Sequence, residues 1–334
     1  MSTINLPKNC RQAFIPTIIG GLPLKNRFLR AATWDGLAGP DGEVTAAQLA
    51  LYTELARGGS ALLTSGYTSV SPGGRQLAGQ NSLHRDDNLA SFARLAAAVH
   101  RHDARLFVQL VHCGGQADPA LTGQPAVAPS AVDHPLYSRL PAALSRREIA
   151  AIVAEFAAAA RRARDAGADG IQLHAAHGYL ISQFLSPALN RRRDEYGGSP
   201  ANRRRFLREI YLACRAAVGP ELPITVKING RDYLEGGLEL PETIETCRQL
   251  AALGAAAVEI SGGTRVSRPR QPVMTGIDRP AREAYFFAET LAVVQGVEIP
   301  VIAVGGIRSP ARVAALLAAG IDLVALCRPL IREP

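Results

Sequence analysis

The hydrophobic pattern of the chain switches repeatedly between two periods, and no other sequence feature restricts its fold as strongly. Short runs that are almost continuously apolar alternate with longer segments whose apolar residues recur at helical spacing. Eight such runs predict strands, at residues 27–33, 61–67, 105–112, 169–176, 223–229, 256–262, 299–306 and 322–328. Because the runs are apolar throughout, we expect a parallel sheet that is buried on both faces.

Helical segments separate these strands. They are predicted at residues 45–57, 87–101, 145–166, 200–218, 240–253, 282–295 and 309–319. Thr45 is placed to cap the first helix, and Ser145 with Glu148 forms the S-x-x-E pattern of a capping box. Strict alternation predicts an α/β fold, a single (β/α)₈ TIM barrel over residues 1–334 that lacks the last helix. Residues 1–26 are expected to form an N-terminal cap. A doubly wound open sheet is the alternative to the barrel.

Composition excludes several classes of protein. The chain has 334 residues, of which 47% are hydrophobic and 20% charged, which is typical of a globular protein. No apolar run approaches the roughly 18 residues of a membrane span, and the start MSTINLPKNC lacks the features of a secretory signal. The five cysteines form no C-x-x-C pair, which argues against a disulfide scaffold or a metal cluster. We expect a cytoplasmic protein with no membrane partner.

The net charge of +8 raises the question of nucleic-acid binding. Only three of the 37 basic residues are lysine, Lys8, Lys25 and Lys227, and the arginines are spread along the chain. The densest clusters, 191–193 and 203–205, lack interleaved aromatic residues and any binding motif. A solvated basic face therefore explains the charge better than a nucleic-acid groove.

Small or polar residues stand at the carboxyl end of every predicted strand. They are Thr33 and Trp34, Ser65 and Gly66, Gln109 and His112, His174 and His177, Lys227 and Asn229, Ser261 to Gly263, Gly305 and Gly306, and Arg328. In a TIM barrel this end carries the chemistry, whereas the other end contributes stability. We therefore expect these residues to surround one site.

His174 and His177 form the most distinctive part of that set, and Tyr179 lies two residues further on, so that all three fall within six residues at the end of one predicted strand. Two neutral imidazoles can donate hydrogen bonds to one carbonyl oxygen or can bind a metal ion together. The metal alternative lacks a third ligand of clear identity. A tyrosine hydroxyl is a weak acid, suited to protonating a carbanion formed during a reaction.

Lys227 and the segment VGGIRS at 304–309 predict two anion sites. A lysine inside an apolar strand carries a heavy desolvation cost, so a role is expected: stabilising an anionic ring or forming a Schiff base. Glycine amides before a helix, with Arg328 at the end of the last strand, are suited to a phosphate. TIM barrels commonly bind phosphate after strands seven and eight.

Four segments together resemble the Old Yellow Enzyme family of FMN-dependent ene-reductases. They are KNRFLRAATWDG at 25–36, HAAHGYLISQFLSP at 174–187, NRRRDEYGGSPANRRRF at 190–206, and VGGIRS with CRPLIREP near the end. The resemblance covers nearly the whole chain and is greatest to the branch that contains NADH:flavin oxidoreductases and the barrel domain of 2,4-dienoyl-CoA reductase.

The resemblance implies a mechanism in which NADH or NADPH reduces FMN, and flavin N5 then delivers hydride to an activated alkene. His174 and His177 match the pair that binds the substrate oxygen, and Tyr179 matches the proton donor. Lys227 occupies the place of an arginine beside flavin N1 and O2 in many relatives. The implied cofactor contacts are Thr33, Trp34, Gly66, Gln109, His174, Lys227, Ser261, Gly262, Gly263, Gly305, Gly306, Cys327 and Arg328.

Three departures from the family pattern accompany the resemblance. Trp34 or Thr33 stands where relatives carry a Cys or Thr that tunes the flavin, and Gly115 stands where many have arginine. Relatives also continue beyond the position of Pro334, which implies a missing C-terminal domain or a homo-oligomer that closes the barrel. A barrel that only relays electrons within a larger assembly and a Lys227 Schiff-base lyase are the alternative functions.

Overall fold

The computed structural model describes residues 8–334, and it places eight parallel strands in a closed barrel. The barrel strands are Phe28–Arg30, Leu62–Thr64, Arg105–Val111, Gly170–Ala175, Ile224–Asn229, Ala257–Ser261, Val301–Val304 and Leu323–Leu326. The eighth strand pairs with both the seventh and the first, which closes the ring. The predicted TIM barrel is confirmed, and the open-sheet alternative is wrong.

Seven long helices follow the first seven strands, as the alternation predicts. They are Ala46–Arg57, Leu89–His100, Arg146–Asp165, Pro200–Val218, Leu240–Ala252, Phe287–Val294 and Pro310–Ala318. Thr45 caps the first of them, and Ser145 and Glu148 form the predicted capping box. After the eighth strand comes a helix of five residues, Arg328–Arg332, where the sequence predicts that the last helix is lacking.

The smaller elements precede the first barrel strand or lie in the segments that connect the strands and long helices. Short strands are Thr17–Ile19, Leu22–Leu24, Thr68–Ser69, Val127–Ala128 and Ala142–Ala143; short α-helices are Pro119–Thr122 and Leu180–Leu185; 3₁₀-helices are Lys8–Phe14, Pro72–Gly74, Asp86–Asn88, Gly114–Gln116 and Pro280–Arg282. The first two short strands form an antiparallel hairpin. Its Ile19 and Leu24 pack with Leu62 and Leu323 at the amino ends of the strands.

Residues 17–24 therefore plug the end of the barrel opposite the predicted site. Other residues of the expected N-terminal cap lie elsewhere: Cys10 and Ala13 belong to a core cluster with Val313 and Leu316 of the helix Pro310–Ala318. Residues 1–7 lie outside the described residues, and they include most of the starting segment MSTINLPKNC.

The main core lies between the outer faces of the strands and the surrounding helices. Fully buried aromatic rings such as Phe156 and Phe206 belong to the same core cluster as Ile171 and Val226 of the strands. Burying a side chain of this kind contributes roughly 1.5–3 kcal/mol. The core fixes the strands rigidly, so the side chains at their carboxyl ends are presented in a defined arrangement.

Candidate active site

A cavity of about 1050 Å³ opens at the carboxyl ends of the strands. Every strand of the barrel contributes to its wall, either from its last residues or from the loop that follows. The volume is at the upper end of the range for small-molecule sites, roughly 300–1,000 Å³. The residues with polar groups or glycine backbone on the wall include Thr33, Tyr67, Gln76, Gln109, Gln116, His174, His177, Tyr179, Lys227, Ser261, Gly305, Gly306, Cys327 and Arg328.

One side of the cavity, here called the histidine wall, consists of His174, His177, Tyr179, Tyr67 and Gln76. The His174 ring centroid lies 4.9 Å from that of His177 and 4.8 Å from that of Tyr179. Tyr67 stacks on Tyr179 with centroids 5.5 Å apart. The structure therefore brings together the three residues that the sequence predicts to act on a substrate.

Hydrogen bonds to the backbone and to Ser261 orient the two imidazoles. The N–H of Ala176 donates to His174 Nδ1 at 3.3 Å, so in the neutral ring the proton is on Nε2. His177 Nε2 lies 2.8 Å from Ser261 Oγ. When Ser261 donates this bond, His177 carries its proton on Nδ1, and each imidazole then has one N–H free to donate.

Burial keeps both imidazoles neutral. It lowers the pKa of His174 well below the usual value, with the Lys227 charge as a second cause. Burial also lowers the pKa of His177 well below the usual value, and the neighbouring His174 and Lys227 add to the effect. Neutral rings in this position are hydrogen-bond donors rather than cations.

Tyr179 is held as a neutral phenol. Its hydroxyl donates to Gln76 Oε1 at 3.0 Å, and the hydroxyl of Tyr67 donates to the same oxygen at 3.3 Å. Burial raises the pKa of Tyr179 far above its usual value, as it does the pKa of Tyr67. A phenol with a raised pKa keeps its proton until a strongly basic atom is placed beside it.

The opposite side of the cavity, here called the glycine wall, consists of Gly305, Gly306, Cys327 and Arg328. Gly305 and Gly306 have φ of 121° and 69°, a region that favours glycine. A Cβ on Gly306 would lie 2.9 Å from the Tyr285 ring. At these two positions the wall therefore presents backbone rather than side chains.

The helix that begins at Pro310 contributes less to the glycine wall than the sequence predicts. The N–H groups of Arg308 and Ser309 both donate to the Glu283 carboxylate, each at 2.9 Å. Of the predicted anion-binding amides, those at the two glycines remain, together with the side chain of Arg328. The Arg328 guanidinium donates to the Met274 carbonyl at 2.9 Å and is otherwise exposed.

Lys227 and Gln109 lie between the two walls, at the bottom of the cavity. The Lys227 ammonium is 4% exposed and lies 2.9 Å from the Glu259 carboxylate. In the described part of the chain the ammonium donates no bond of good hydrogen-bond geometry, which leaves its protons directed at whatever occupies the cavity. The lysine thus points into the barrel, and not outward to a surface carboxylate.

Three of the predicted cofactor contacts do not line the cavity. The Gly66 N–H donates to the Tyr52 hydroxyl at 3.0 Å, Gly262 lies against the Phe286 ring, and the Gly263 N–H donates to the Arg231 carbonyl at 2.9 Å. The predicted residues at the cavity are Thr33, Trp34, Gln109, His174, His177, Tyr179, Lys227, Ser261, Gly305, Gly306, Cys327 and Arg328.

Sequence reasoning missed Tyr67, Gln76, Glu259 and Glu283. Tyr67 is the last residue of a predicted strand, so its position was a usable signal. Glu259 is a carboxylate inside a predicted apolar strand, which is a signal of the same kind as Lys227. No local pattern marks Gln76 or Glu283. The structure also explains why glycine rather than arginine stands at residue 115, because a Cβ there would overlap the Tyr137 ring.

None of the helices in residues 8–334 has both the length and the apolarity needed to cross a membrane. Within the same residues, no group of three or more His, Cys, Asp or Glu side chains is arranged to hold a metal ion.

Comparison with known proteins gives a consistent result. The model of the NADH:flavin oxidoreductase / NADH oxidase family matches residues 12–334. The chain is 38% identical to a metal reductase of Desulforamulus reducens over 96% of its length, and 38% identical to an NADH oxidase of Thermoanaerobacter brockii over 95%. It spans about half of each, 47% and 48%. It is 35% identical to an NADPH dehydrogenase of Listeria innocua, covering 93% of this chain and 88% of that protein.

Solved structures show the same fold. A 2-naphthoyl-CoA reductase complex superposes with a TM-score of 0.90 at 27% identity, covering 96% of this chain and 50% of the other. An old yellow enzyme homologue from Zymomonas mobilis superposes with a TM-score of 0.81 at 25% identity, covering 95% and 89%.

Proposed function

Because this chain belongs to the NADH:flavin oxidoreductase / NADH oxidase family, which uses FMN with NADH or NADPH, we propose that it is an ene-reductase. The proposed reaction is NAD(P)H-dependent reduction of the C=C bond of an α,β-unsaturated carbonyl or enoyl compound. The observation that carries the proposal is the convergence of His174, His177 and Tyr179 on one wall of the cavity.

The residues at the cavity fit FMN. The buried Lys227 ammonium has one charged partner and no well-formed hydrogen bond, so it suits an electron-rich ring edge. Gln109 lines the same cavity, and its free side-chain carbonyl oxygen suits an N–H group of the ring. The glycine wall suits the phosphate, because Gly305 and Gly306 leave backbone accessible and Arg328 adds a positive charge.

FMN, when bound, supplies the two-electron transfer between NAD(P)H and the alkene, which the side chains present cannot perform. The protein contributes recognition and polarisation of the substrate. The free N–H groups of His174 and His177 donate to its carbonyl oxygen and draw electron density away from the alkene. These preorganised donors favour negative charge on that oxygen as the reaction proceeds.

Tyr179 supplies the proton in this proposal. Its hydroxyl oxygen releases a proton to the carbon next to the carbonyl, and Gln76 holds the hydroxyl in place. The phenol is protonated at neutral pH, and burial, which raises the pKa of Tyr179, keeps it so until a basic carbon is formed beside it. The same residues bind a phenol or enolate oxygen for the same reason.

The sequence is also compatible with two other functions. The proposed site uses Lys227 at the edge of the flavin ring, and a Schiff base would remove its charge from that place, so we do not propose the lyase. Electron transfer to an acceptor other than an alkene, within a larger assembly, stays a second candidate. It is favoured by the relatives named metal reductase and NADH oxidase, of which this chain spans about half.

The test separates the two half-reactions. The purified protein is denatured to identify released flavin, then reduced anaerobically with NADH or NADPH and mixed with 2-cyclohexenone. We expect stoichiometric FMN and rapid return of the oxidised flavin absorbance. Cyclohexanone, which has the carbonyl but no alkene, is the matched control and is expected to leave the flavin reduced. Reoxidation by dioxygen or ferric citrate but not by the enone would reject the ene-reductase in favour of the second candidate.

A further inference from the structure

Four polar side chains form a buried chain inside the barrel, beneath the cavity. Gln109, Gln172, Lys227 and Glu259 are 2%, 2%, 4% and 1% exposed. They come from four consecutive barrel strands, and the strand register places Gln109 beside Gln172 and Lys227 beside Glu259. Burying such groups is costly unless each finds a partner, so their arrangement is informative.

The hydrogen bonds run in one direction, towards the carboxylate. Gln109 Nε2 donates to Gln172 Oε1 at 2.7 Å, and Gln172 Nε2 donates to Glu259 Oε2 at 2.9 Å. An ionised carboxylate can only accept hydrogen bonds. Glu259 therefore dictates which way the Gln172 amide faces, and Gln172 in turn dictates the orientation of Gln109. The consequence is that the carbonyl oxygen of Gln109 is left free for a donor in the cavity.

The same carboxylate also balances Lys227. Glu259 Oε1 lies 2.9 Å from Lys227 Nζ, although the contact lacks hydrogen-bond geometry. Gln109 and Lys227 line the cavity, whereas Gln172 and Glu259 do not. One buried carboxylate thus controls an acceptor and a cation that both face the same ligand.

We propose that Glu259 is a positioning residue whose negative charge, which partly offsets that of Lys227, sets the reduction potential of the bound flavin, and that it sets the orientation of Gln109 through Gln172. The inference rests on the proposed FMN site. Glu259 partly offsets the lysine charge, so the reduced, electron-rich flavin is stabilised less than an unpaired lysine would allow. Removing the carboxylate charge makes the potential more positive.

The decisive variant is Glu259→Gln, which keeps the shape and removes the charge. We expect it to bind reduced FMN at least about tenfold more tightly, relative to oxidised FMN, than the wild type does. A tenfold change in that ratio equals a rise of about 30 mV in the midpoint potential for a two-electron couple. The potential is measured by spectroelectrochemical titration with reference dyes, and oxidised FMN affinity by fluorescence quenching.

Three further variants separate positioning from a merely structural role. Glu289→Gln is the matched control, since Glu289 is buried and bonded to Tyr233 but does not line the cavity; its potential is expected to equal that of the wild type. Gln172→Leu keeps the ion pair and is expected to weaken binding of oxidised FMN with little change in potential. Glu259→Asp restores the charge and is expected to return the potential towards the wild-type value.

An unchanged potential in Glu259→Gln, or an equal shift in Glu289→Gln, overturns the inference. If Glu259→Gln does not fold, Lys227→Met is compared with the double variant Lys227→Met with Glu259→Gln, in which no buried charge is left unpaired. We then expect the double variant to have the more positive potential, and equal potentials reject the role. Wild-type protein that binds no FMN rejects the proposed function itself, which is a separate outcome.

Discussion

The two walls of the cavity are built in different ways. On the histidine wall, imidazole and phenol groups are buried and are oriented by other side chains, as His177 is by Ser261 and Tyr179 by Gln76. On the glycine wall, the available groups are backbone amides and an exposed Arg328 that rests on a loop carbonyl. The difference corresponds to what each wall is proposed to do.

Proton transfer and carbonyl polarisation depend on protonation state and on atomic position, and burial among fixed partners controls both. Binding a phosphate requires only N–H groups and positive charge, which backbone and a solvated arginine provide. We therefore expect substitutions on the histidine wall to change rates and specificity, and substitutions on the glycine wall to change cofactor affinity. Four predictions follow from this comparison, in order of decreasing effect.

Tyr179→Phe tests the histidine wall most directly. Alkene reduction is expected to slow by about 10²–10⁴-fold, the usual contribution of a general acid, while flavin reduction by NAD(P)H stays within about twofold. Anaerobic stopped-flow measurement of each half-reaction gives the two rates. Tyr233→Phe is the matched control, because its phenol bonds to Glu289 outside the cavity. Equal slowing of both half-reactions would refute the proton-donor role.

The double variant His174→Ala with His177→Ala removes both donors to the substrate oxygen. Each lost hydrogen bond is worth about 0.5–1.5 kcal/mol, so a para-substituted phenol is expected to bind roughly 5–150-fold more weakly. Titration of the flavin absorption band measures the dissociation constant. His100→Ala, which removes a surface imidazole paired with Asp169, is expected to have no effect. Phenol affinity unchanged in the double variant would show that the ligand oxygen binds elsewhere.

Arg328→Ala tests the glycine wall. FMN is expected to dissociate about tenfold more readily, the lower end of the range for a charge-assisted bond because the guanidinium is exposed. The rate of alkene reduction by the FMN-saturated variant is expected to stay near the wild-type value. The control is Arg312→Ala, because Arg312 lies outside the cavity on the helix Pro310–Ala318. A variant that loses rate at saturating FMN would break the proposed division between the walls.

The histidine wall is also expected to weaken in acid. The pKa values of His174 and His177 are lowered in the folded protein, whereas histidine in the unfolded chain has a pKa of about 6.5, so unfolding takes up protons below about pH 6.5. The two neutral histidines do not reduce the free energy of unfolding above that pH. As the pH falls below it, the free energy of unfolding decreases by up to about 1.4 kcal/mol per pH unit for each histidine. Urea unfolding of the flavin-free protein between pH 7 and 5 measures the slope. The double variant His174→Asn with His177→Asn is expected to reduce the dependence of the free energy of unfolding on pH. An identical slope would show that these two histidines are not its cause.

Much of the fold could be predicted because a TIM barrel repeats one local pattern. The change of hydrophobic period located every barrel strand and the seven long helices. The predicted ends were less exact: strand seven is Val301–Val304 rather than 299–306, and the sixth long helix begins at Phe287 rather than 282. Pairing with neighbouring strands, and a 3₁₀ turn before that helix, decide these limits, and both depend on tertiary contacts.

The candidate site could be predicted only in part, for a related reason. A residue's place at the end of a strand identifies the end of the barrel it occupies, as it did for His174 and Lys227. The stagger of the strands decides whether it reaches the cavity, and Gly66 and Gly262 do not. Partners such as Glu259 and Glu283 come from other strands and loops than the groups they contact, so the sequence does not reveal which site residue each of them meets.

The backbone at His177 has a consequence for how this site can change over evolution. Its φ is 64°, in the left-handed region that β-branched and bulky residues avoid and that asparagine, aspartate and histidine enter most readily apart from glycine. Of these, only histidine and asparagine bear a side-chain N–H. A lineage that keeps this loop can therefore exchange an imidazole for a carboxamide at residue 177, whereas His174, which lies within a regular strand, is under no such backbone restriction.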